Sequence, residues 1–266
     1  MTPWADIIVP THGQTEKTVR CLRSLRAFTS SYRVLWVDNG SSPASRAAVI
    51  DELRAHADHA SFWAADRLGF VGAANLGLRL ALGPLDSGSP YVALLNNDVV
   101  VTKGWLERLR GVLDRERTVH AVGPVTSECQ SWQSFLNAGK VVLAFQVPQG
   151  FHGLGVDERA ARLAYCYGDL WRPCRMLAFF CTLFRKDVFR DVGLLDDGFE
   201  EGLGDDDDFC IRMAANAMRC ALVMGCYVHH DHRSTFASLY SDSEIDDMSR
   251  RHLERFREKH GEEARV

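Results

Sequence analysis

The 266-residue sequence predicts an α/β fold, a single large domain whose mostly parallel central sheet is flanked by helices. Three observations predict it. Short apolar runs at 6–9, 33–37, 61–64 and 91–95 alternate with stretches whose apolar residues recur at helical spacing. Each run stops at turn-forming or acidic residues, as strands that feed crossover helices do. An apolar content of 46% over this length supplies a sizeable core without requiring a second domain.

The elements follow in order. A first strand at 6–9 ends at Pro10, Thr11, His12 and Gly13, and residues 17–28 carry Val19, Leu22 and Leu25 on one helical face. A second strand at 33–37 ends in Asp38, Asn39 and Gly40, with a helix over 45–57 behind it. The short strand at 61–64 leads into glycines at 69, 72 and 77 and a helix opening near Ala73. The strand at 91–95 is followed by a helical pattern in TKGWLERLRGVL. Right-handed crossovers bring the loops after such strands to one edge, so the loops at 10, 38, 69 and 98 should converge.

The second half is less regular. Residues 125–175 show no clean period, and their glycines and aromatics suggest a variable, substrate-facing segment in which Phe151 and Trp171 contact an acceptor. Regular signals return at 176–193, followed by four aspartates at 205–208 and a helix to about Ala217. A strand at 220–228 then ends in His229, His230, Asp231 and His232, and the tail reads as an exposed charged helix. This divides the single domain into a nucleotide-binding half at about 1–124, an acceptor-binding and catalytic half at about 125–240, and the helix at about 241–266.

Composition narrows the partners. A net charge of -4 with dispersed basic residues provides no footprint for nucleic acid. Eight cysteines without a C-x-x-C pair, mostly in apolar stretches, read as reduced core thiols of a cytoplasmic protein rather than a zinc site. The amino terminus lacks a basic region followed by a long apolar core. The longest apolar run, 176–184, is too short to span a bilayer, so the chain is expected to be soluble or at most peripheral at a membrane surface.

Five groups of residues carry chemistry. Asp98 closes the run YVALLNND at the carboxyl edge of the sheet, placed for metal or phosphate chemistry or for capping a turn. Asp38 could accept hydrogen bonds from the imide and ribose of a nucleotide, or close an Asx-turn. The glycines at 69, 72 and 77 permit close backbone approach and expose amides at a helix start, which suits a diphosphate, although tight strand-to-helix geometry alone needs them too. Among Asp205 to Asp208 most would cap a helix, but four adjacent carboxylates repel one another, and one facing a closed pocket gains a raised pKa suited to general-base work. His229 and His230 end a strand and point to opposite faces, so one of them faces the site. An imidazole meeting Asp98 and a diphosphate would complete an octahedral site for Mn²⁺ or Mg²⁺.

Seven motifs occur in order: VPTHG at 9–13, VDNGSS at 37–42, RLGFVGAANLG at 67–77, LLNNDVVVTKGWL at 94–106, FCTLFRKDVFRDVGLLDDGF at 180–199, DDDDFCIR at 205–212 and VHHDHRSTF at 228–236. Together they resemble the inverting family-two glycosyltransferases with the GT-A fold, in particular the rhamnosyltransferase-like branch. The resemblance implies that Pro10, Thr11 and Asp38 contact the nucleoside and that Gly69, Gly72 and Asn75 line the donor. Asn96-Asn97-Asp98 occupies the family's D-x-D position, with Asn97 beside the substrate and Asp98 on the metal. Asp205-Asp206 matches a Glu-Asp pair whose aspartate is the base, which favours Asp206 and leaves Asp205 as the alternative. His230, five residues before Thr235, has the spacing of the metal histidine. The chain departs from the pattern twice: Asn96 replaces the first acid of D-x-D, and Asp205 the usual Glu.

The expected activity is transfer of a sugar from a nucleotide diphosphate sugar, a UDP-, dTDP- or GDP-sugar, to a hydroxyl of a glycan or lipid-linked glycan, with Mn²⁺ or Mg²⁺ and inversion. A sugar-phosphate nucleotidylyltransferase would need a glycine-rich amino-terminal loop with Arg and Lys, and VPTHGQTEK lacks one. A non-catalytic glycan-binding protein on a transferase scaffold fits Asn96, but not the retention of Asp98, Asp206 and His230.

Overall fold

The computed structural model describes residues 2–127, 129, 133–134, 151–231 and 239–261. Its first half runs β1 (Ala5–Thr11), α1 (Thr15–Phe28), β2 (Tyr32–Asp38), α2 (Pro43–Leu53), β3 (His59–Trp63), α3 (Gly69–Leu82), β4 (Tyr91–Leu95), β5 (Val99–Val100), α4 (Trp105–Arg115) and β6 (Val119–Val125). Beyond these lie α5 (Val156–Tyr167), β7 (Trp171–Cys174), β8 (Cys181–Arg185), α6 (Asp187–Asp191), α7 (Asp205–Ala215), β9 (Arg219–Tyr227), β10 (His229–His230) and α8 (Asp242–His260).

Eight strands form one sheet in the order β3-β2-β1-β4-β8-β6-β9-β7. β3, β2, β1 and β4 pair in parallel, as do β6 and β9, whereas β8 is antiparallel to both β4 and β6, and β7 to β9. Six strands therefore share one direction and the sheet is mostly parallel. Their carboxyl ends meet the amino ends of β7 and β8 along a single edge. The two-residue strands β5 and β10 pair antiparallel in a small second sheet, setting His230 opposite Val99.

Alternation along the strands builds two apolar layers. Ile7, Val9, Val34 and Trp36 pack with Leu22 and Leu25 of α1, Val49 and Leu53 of α2, and Trp105 and Leu109 of α4. Ile8, Leu35 and Val37 face Val71, Ala74 and Leu78 of α3, and the same layer holds Phe209 and Met213 of α7. A Cβ on Gly77 would lie 2.4 Å from Ile8 Cγ2, so this glycine sets how closely α3 approaches β1.

The structure departs from the sequence reading in three places. Helix α3 opens at Gly69 instead of near Ala73, because the Leu68 N–H is capped by Asn39 Oδ1 at 2.6 Å. Within 125–175, much of which lies outside the described residues, α5 and β7 are regular elements. β6 just before them has no sequence signal, since Gly123 and Pro124 interrupt its apolar run.

Phe151 is a core residue, which corrects the acceptor-contact expectation. It is fully buried in a third cluster with Val125, Leu163, Leu222, Met224 and Tyr227, edge-on to the Tyr227 ring. Trp171 is half-buried in β7. Phe151→Leu is therefore expected to lower stability by about 1–2 kcal/mol, read as a reduced denaturant midpoint at unchanged m. An unchanged midpoint would return Phe151 to the surface.

Candidate active site

The carboxyl edge of the sheet is organised by Asn39, a residue the sequence reading passed over within the DNGSS turn. It is 4% exposed. Its backbone N–H donates to Thr11 O at 2.7 Å, and its carbonyl accepts from His12 Nδ1 at 2.7 Å. Its side chain accepts from the Leu68 N–H and donates to Gly69 O at 2.9 Å. One amide thus ties the ends of β1 and β2 to the start of α3, and the loops at 10, 38 and 69 do converge.

The residues expected to hold the donor are engaged in the fold. Thr11, at the end of β1 and 2% exposed, accepts from Trp36 Nε1 at 3.1 Å, and Pro10 lies beside Val37 in the same pair of strands. Asp38 is fully buried, accepts from the Ser41 N–H at 3.3 Å and pairs with Arg46 Nε at 2.9 Å, which realises the turn alternative for this carboxylate. The Val71 N–H donates to Glu200 O at 3.0 Å. With the Leu68 N–H also taken, two amides at the start of α3 are bonded within the fold.

The α3 residues meet the second half of the chain. Gly69 has φ +71°, and a Cβ there would lie 2.5 Å from Glu200 O, so the glycine admits the 200 loop. Gly72 borders a shallow groove with Leu68, Leu76, Arg79 and Asp197. Asn75 is fully buried; its Nδ2 donates to Leu195 O at 2.9 Å and Asp197 Oδ1 at 2.6 Å, and its Oδ1 accepts from the Leu195 N–H. Its side chain holds the 195–197 turn. Asn97 likewise donates to Thr18 Oγ1 on α1 at 2.9 Å.

Asp98 and His230 come together through the β5–β10 pairing. Asp98 Oδ1 lies 3.2 Å from His230 Nε2, and both side chains are 7% exposed. The ring of His230 stacks on Phe180, with centroids 4.9 Å apart and an interplanar angle of 11°. His229 points elsewhere, to Asp231 Oδ1 at 2.9 Å, as alternation along a strand requires. His232 and Thr235 lie outside the described residues.

This pair fits a divalent cation. Ligand atoms on neighbouring corners of an octahedron with ~2.1 Å bonds are about 3 Å apart, close to the Asp98–His230 separation. Among the described residues no cluster of three or more His, Cys, Asp or Glu is arranged for a metal, so diphosphate oxygens and water would fill the remaining positions.

The acidic run forms the first turn of α7 after Gly204, whose φ is +94°. Asp205 is 2% exposed, and its Oδ2 has no hydrogen-bond partner among the described residues. Burial and then the charge of Asp206 push its carboxyl well above the usual range. Asp206 is half-buried, and burial raises it to about 6 against the N–H groups of Asp207 and Phe179. Burial and Asp206 raise Asp207 to about 7. Asp208 differs: burial would raise it, but Lys259, His260 and Arg212 outweigh that and hold it low.

The turn at 179–180 joins the two groups. The Phe179 N–H is among the groups that lower the Asp206 pKa, while Phe180 stacks on His230 and its carbonyl accepts from the Asn96 N–H at 2.8 Å. Consecutive residues thus bear on the Asp206 carboxyl and on the His230–Asp98 pair.

Comparison with known proteins bears on this arrangement. The family model described as "Glycosyl transferase family 2" matches residues 6–193. No curated protein sequence matches the chain. Among solved structures, the mannosyltransferase PcManGT from Pyrobaculum calidifontis, in complex with GDP-Man and Mn²⁺, is 16% identical with a TM-score of 0.62, over 90% of this chain and 60% of that one. GalNAc-T7 with UDP, GalNAc and Mn²⁺ is 13% identical with a TM-score of 0.61, over 85% of this chain and 43% of that one. S. aureus TarS 1-349 in complex with UDP-GlcNAc is 14% identical with a TM-score of 0.59, over 89% of this chain and 61% of that one. At these identities the likeness is one of fold, and this chain spans less than two thirds of each of those three. Among the described residues no helix is long and apolar enough to cross a membrane.

Proposed function

The chain belongs to glycosyl transferase family 2, and from that premise we propose that it moves a sugar from a nucleotide diphosphate sugar to a hydroxyl of a glycan or lipid-linked glycan, with inversion and with Mn²⁺ or Mg²⁺. The observation that supports this reading is the 179–180 turn, where the Phe179 N–H bears on the Asp206 pKa and Phe180 stacks on the His230 ring that meets Asp98. The ordered motifs of the rhamnosyltransferase-like branch support the same assignment.

In this reading Asp206 takes the proton of the acceptor hydroxyl. The freed oxygen bonds to the anomeric carbon as the bond from that carbon to the diphosphate breaks on the opposite face, and the proton stays on the Asp206 carboxyl. When held by Asp98 and His230, a divalent cation supplies positive charge against the leaving diphosphate. Burial raises the Asp206 pKa, which strengthens it as a base while leaving it mostly ionised at pH 7. Asp205 is more deeply buried, with its carboxyl pushed well above the usual range by burial and by Asp206, and is the alternative candidate.

Slow, manganese-dependent release of nucleoside diphosphate from one member of a panel of UDP-, dTDP- and GDP-sugars is the expected result. Binding of a nucleotide sugar with no turnover, with or without acceptor, would favour the binding-protein reading.

A further inference from the structure

The acidic run is gripped from behind by the carboxyl-terminal helix. Residues His252, Arg255, Phe256, Lys259 and His260 recur at three- and four-residue spacing, so they lie on one face of α8. That face docks on the loop that leads into α7. His252 Nδ1 lies 2.8 Å from Leu203 O, Phe256 is buried in the core, and Arg255 pairs with Asp196 Oδ1 at 2.7 Å. Lys259 makes two ion pairs, 2.6 Å to Asp208 Oδ1 and 2.7 Å to Asp196 Oδ2. His260 Nε2 lies 2.8 Å from Oδ1 and Arg212 Nε 2.8 Å from Oδ2 of Asp208, which is fully buried.

One ammonium thus bridges the start of α7 to the 195–199 turn, and Asn75 ties that turn to α3. Residues two apart on a helix lie on nearly opposite sides. Fixing Asp208 on the inner side of α7 therefore fixes which way Asp206 points.

We propose that Lys259 is a positioning residue for the base: by bonding Asp196 and Asp208 at once it sets the rotation of α7 and keeps Asp206 turned toward the acceptor. The proposal rests on the transferase reading above. The charged and titratable groups packed around this turn are Asp205, Asp207, Asp208, Cys210 and Arg212 of α7, His252, Arg255, Lys259 and His260 of α8, and Asp196, Glu200 and Glu201 of the preceding loop. Removing the Lys259 cation leaves a more negative surrounding, so the Asp206 pKa should rise. A unit charge roughly 10 Å away is worth a few tenths to one pH unit at effective dielectric constants of ~20–80.

The experiment compares wild type, Lys259→Met, Lys259→Arg and His260→Gln as full chains. Lys259→Met is expected to lower kcat for transfer about tenfold, leave nucleotide-sugar affinity by calorimetry within about twofold, and move the acid limb of the kcat profile to higher pH. His260→Gln should shift the same quantities less, and Lys259→Arg should restore most of kcat. An unchanged kcat in folded Lys259→Met, a parallel loss of kcat and donor affinity, or a fall in kcat with an unmoved acid limb would each overturn the proposal. A wild type that binds nucleotide sugars without turning any over would overturn the transferase reading and this proposal with it.

Discussion

Asp206→Asn is expected to lower sugar transfer by roughly 10²–10⁴-fold, the range associated with losing a general base, while nucleotide-sugar affinity stays within about twofold. The asparagine keeps the size of the side chain and can still accept from the Asp207 N–H, but it cannot take the hydroxyl proton. Wild-type activity should fall as pH drops through about 6, because protonation of Asp206 removes the base. The stability effect has the opposite sense. A carboxyl whose folded pKa lies above its unfolded value contributes stability that is present at low pH and lost as pH rises through about 6. The variant should therefore be no less stable than wild type at pH 8, so lost activity cannot be ascribed to unfolding. Asp205→Asn and Asp208→Asn in parallel complete the comparison. Near wild-type transfer by Asp206→Asn, with collapse in Asp205→Asn, would move the base by one residue; full activity in both would remove the run from the chemistry.

The first half of this fold is legible in the sequence because its strands and helices are contiguous and strictly alternate. Burial on both faces makes β1, β2 and β4 continuous apolar runs, and each feeds the helix that covers it. The second half does not read this way, because β8 enters between β4 and β6, and β7 reaches β9 only through a long connection. Such pairings are decided by tertiary contact, and Gly123 and Pro124 further obscure β6. Within the site, the meeting of Asp98 and His230 follows from two strands of two residues each, too short to leave a periodic signal. Motif order indicated the pair; spacing could not. Asn39 went unremarked because its role is spent on backbone groups of distant loops, and Lys259 because it lies in a tail whose charges read as a solvated face. Conversely, Asn75 and Asn97 stand within motifs, yet their amides hold the 195–197 turn and α1. A motif position gives the place of a residue, not the direction of its side chain.

Asp98→Ala is expected to abolish the manganese-dependent part of donor binding while the fold persists. In the proposed reading the carboxylate is one of two protein groups that hold the cation, and disturbing even groups that merely orient a metal ligand typically costs roughly 10–100-fold in metal affinity. Loss of a ligand itself should therefore weaken nucleotide-sugar affinity in manganese by about 10²-fold or more, leaving the weaker metal-free affinity in place. The fold has reason to survive. The Asp98 carbonyl, which accepts from the Asp231 N–H at 3.2 Å, is retained, and His230 keeps its strand pairing with Val99 and its stack on Phe180. Removing the carboxylate does leave a small buried void, so a stability loss of about 1–2 kcal/mol is expected at the same time. Calorimetric titration of nucleotide sugar with and without manganese separates the two effects, because a stability loss lowers the active fraction equally in both conditions, whereas a lost ligand removes only the difference between them. Equal donor affinity in wild type and folded Asp98→Ala, with manganese present, would take the cation away from this pair and leave the His230–Asp98 contact as a link between the β4–β5 turn and β10 alone.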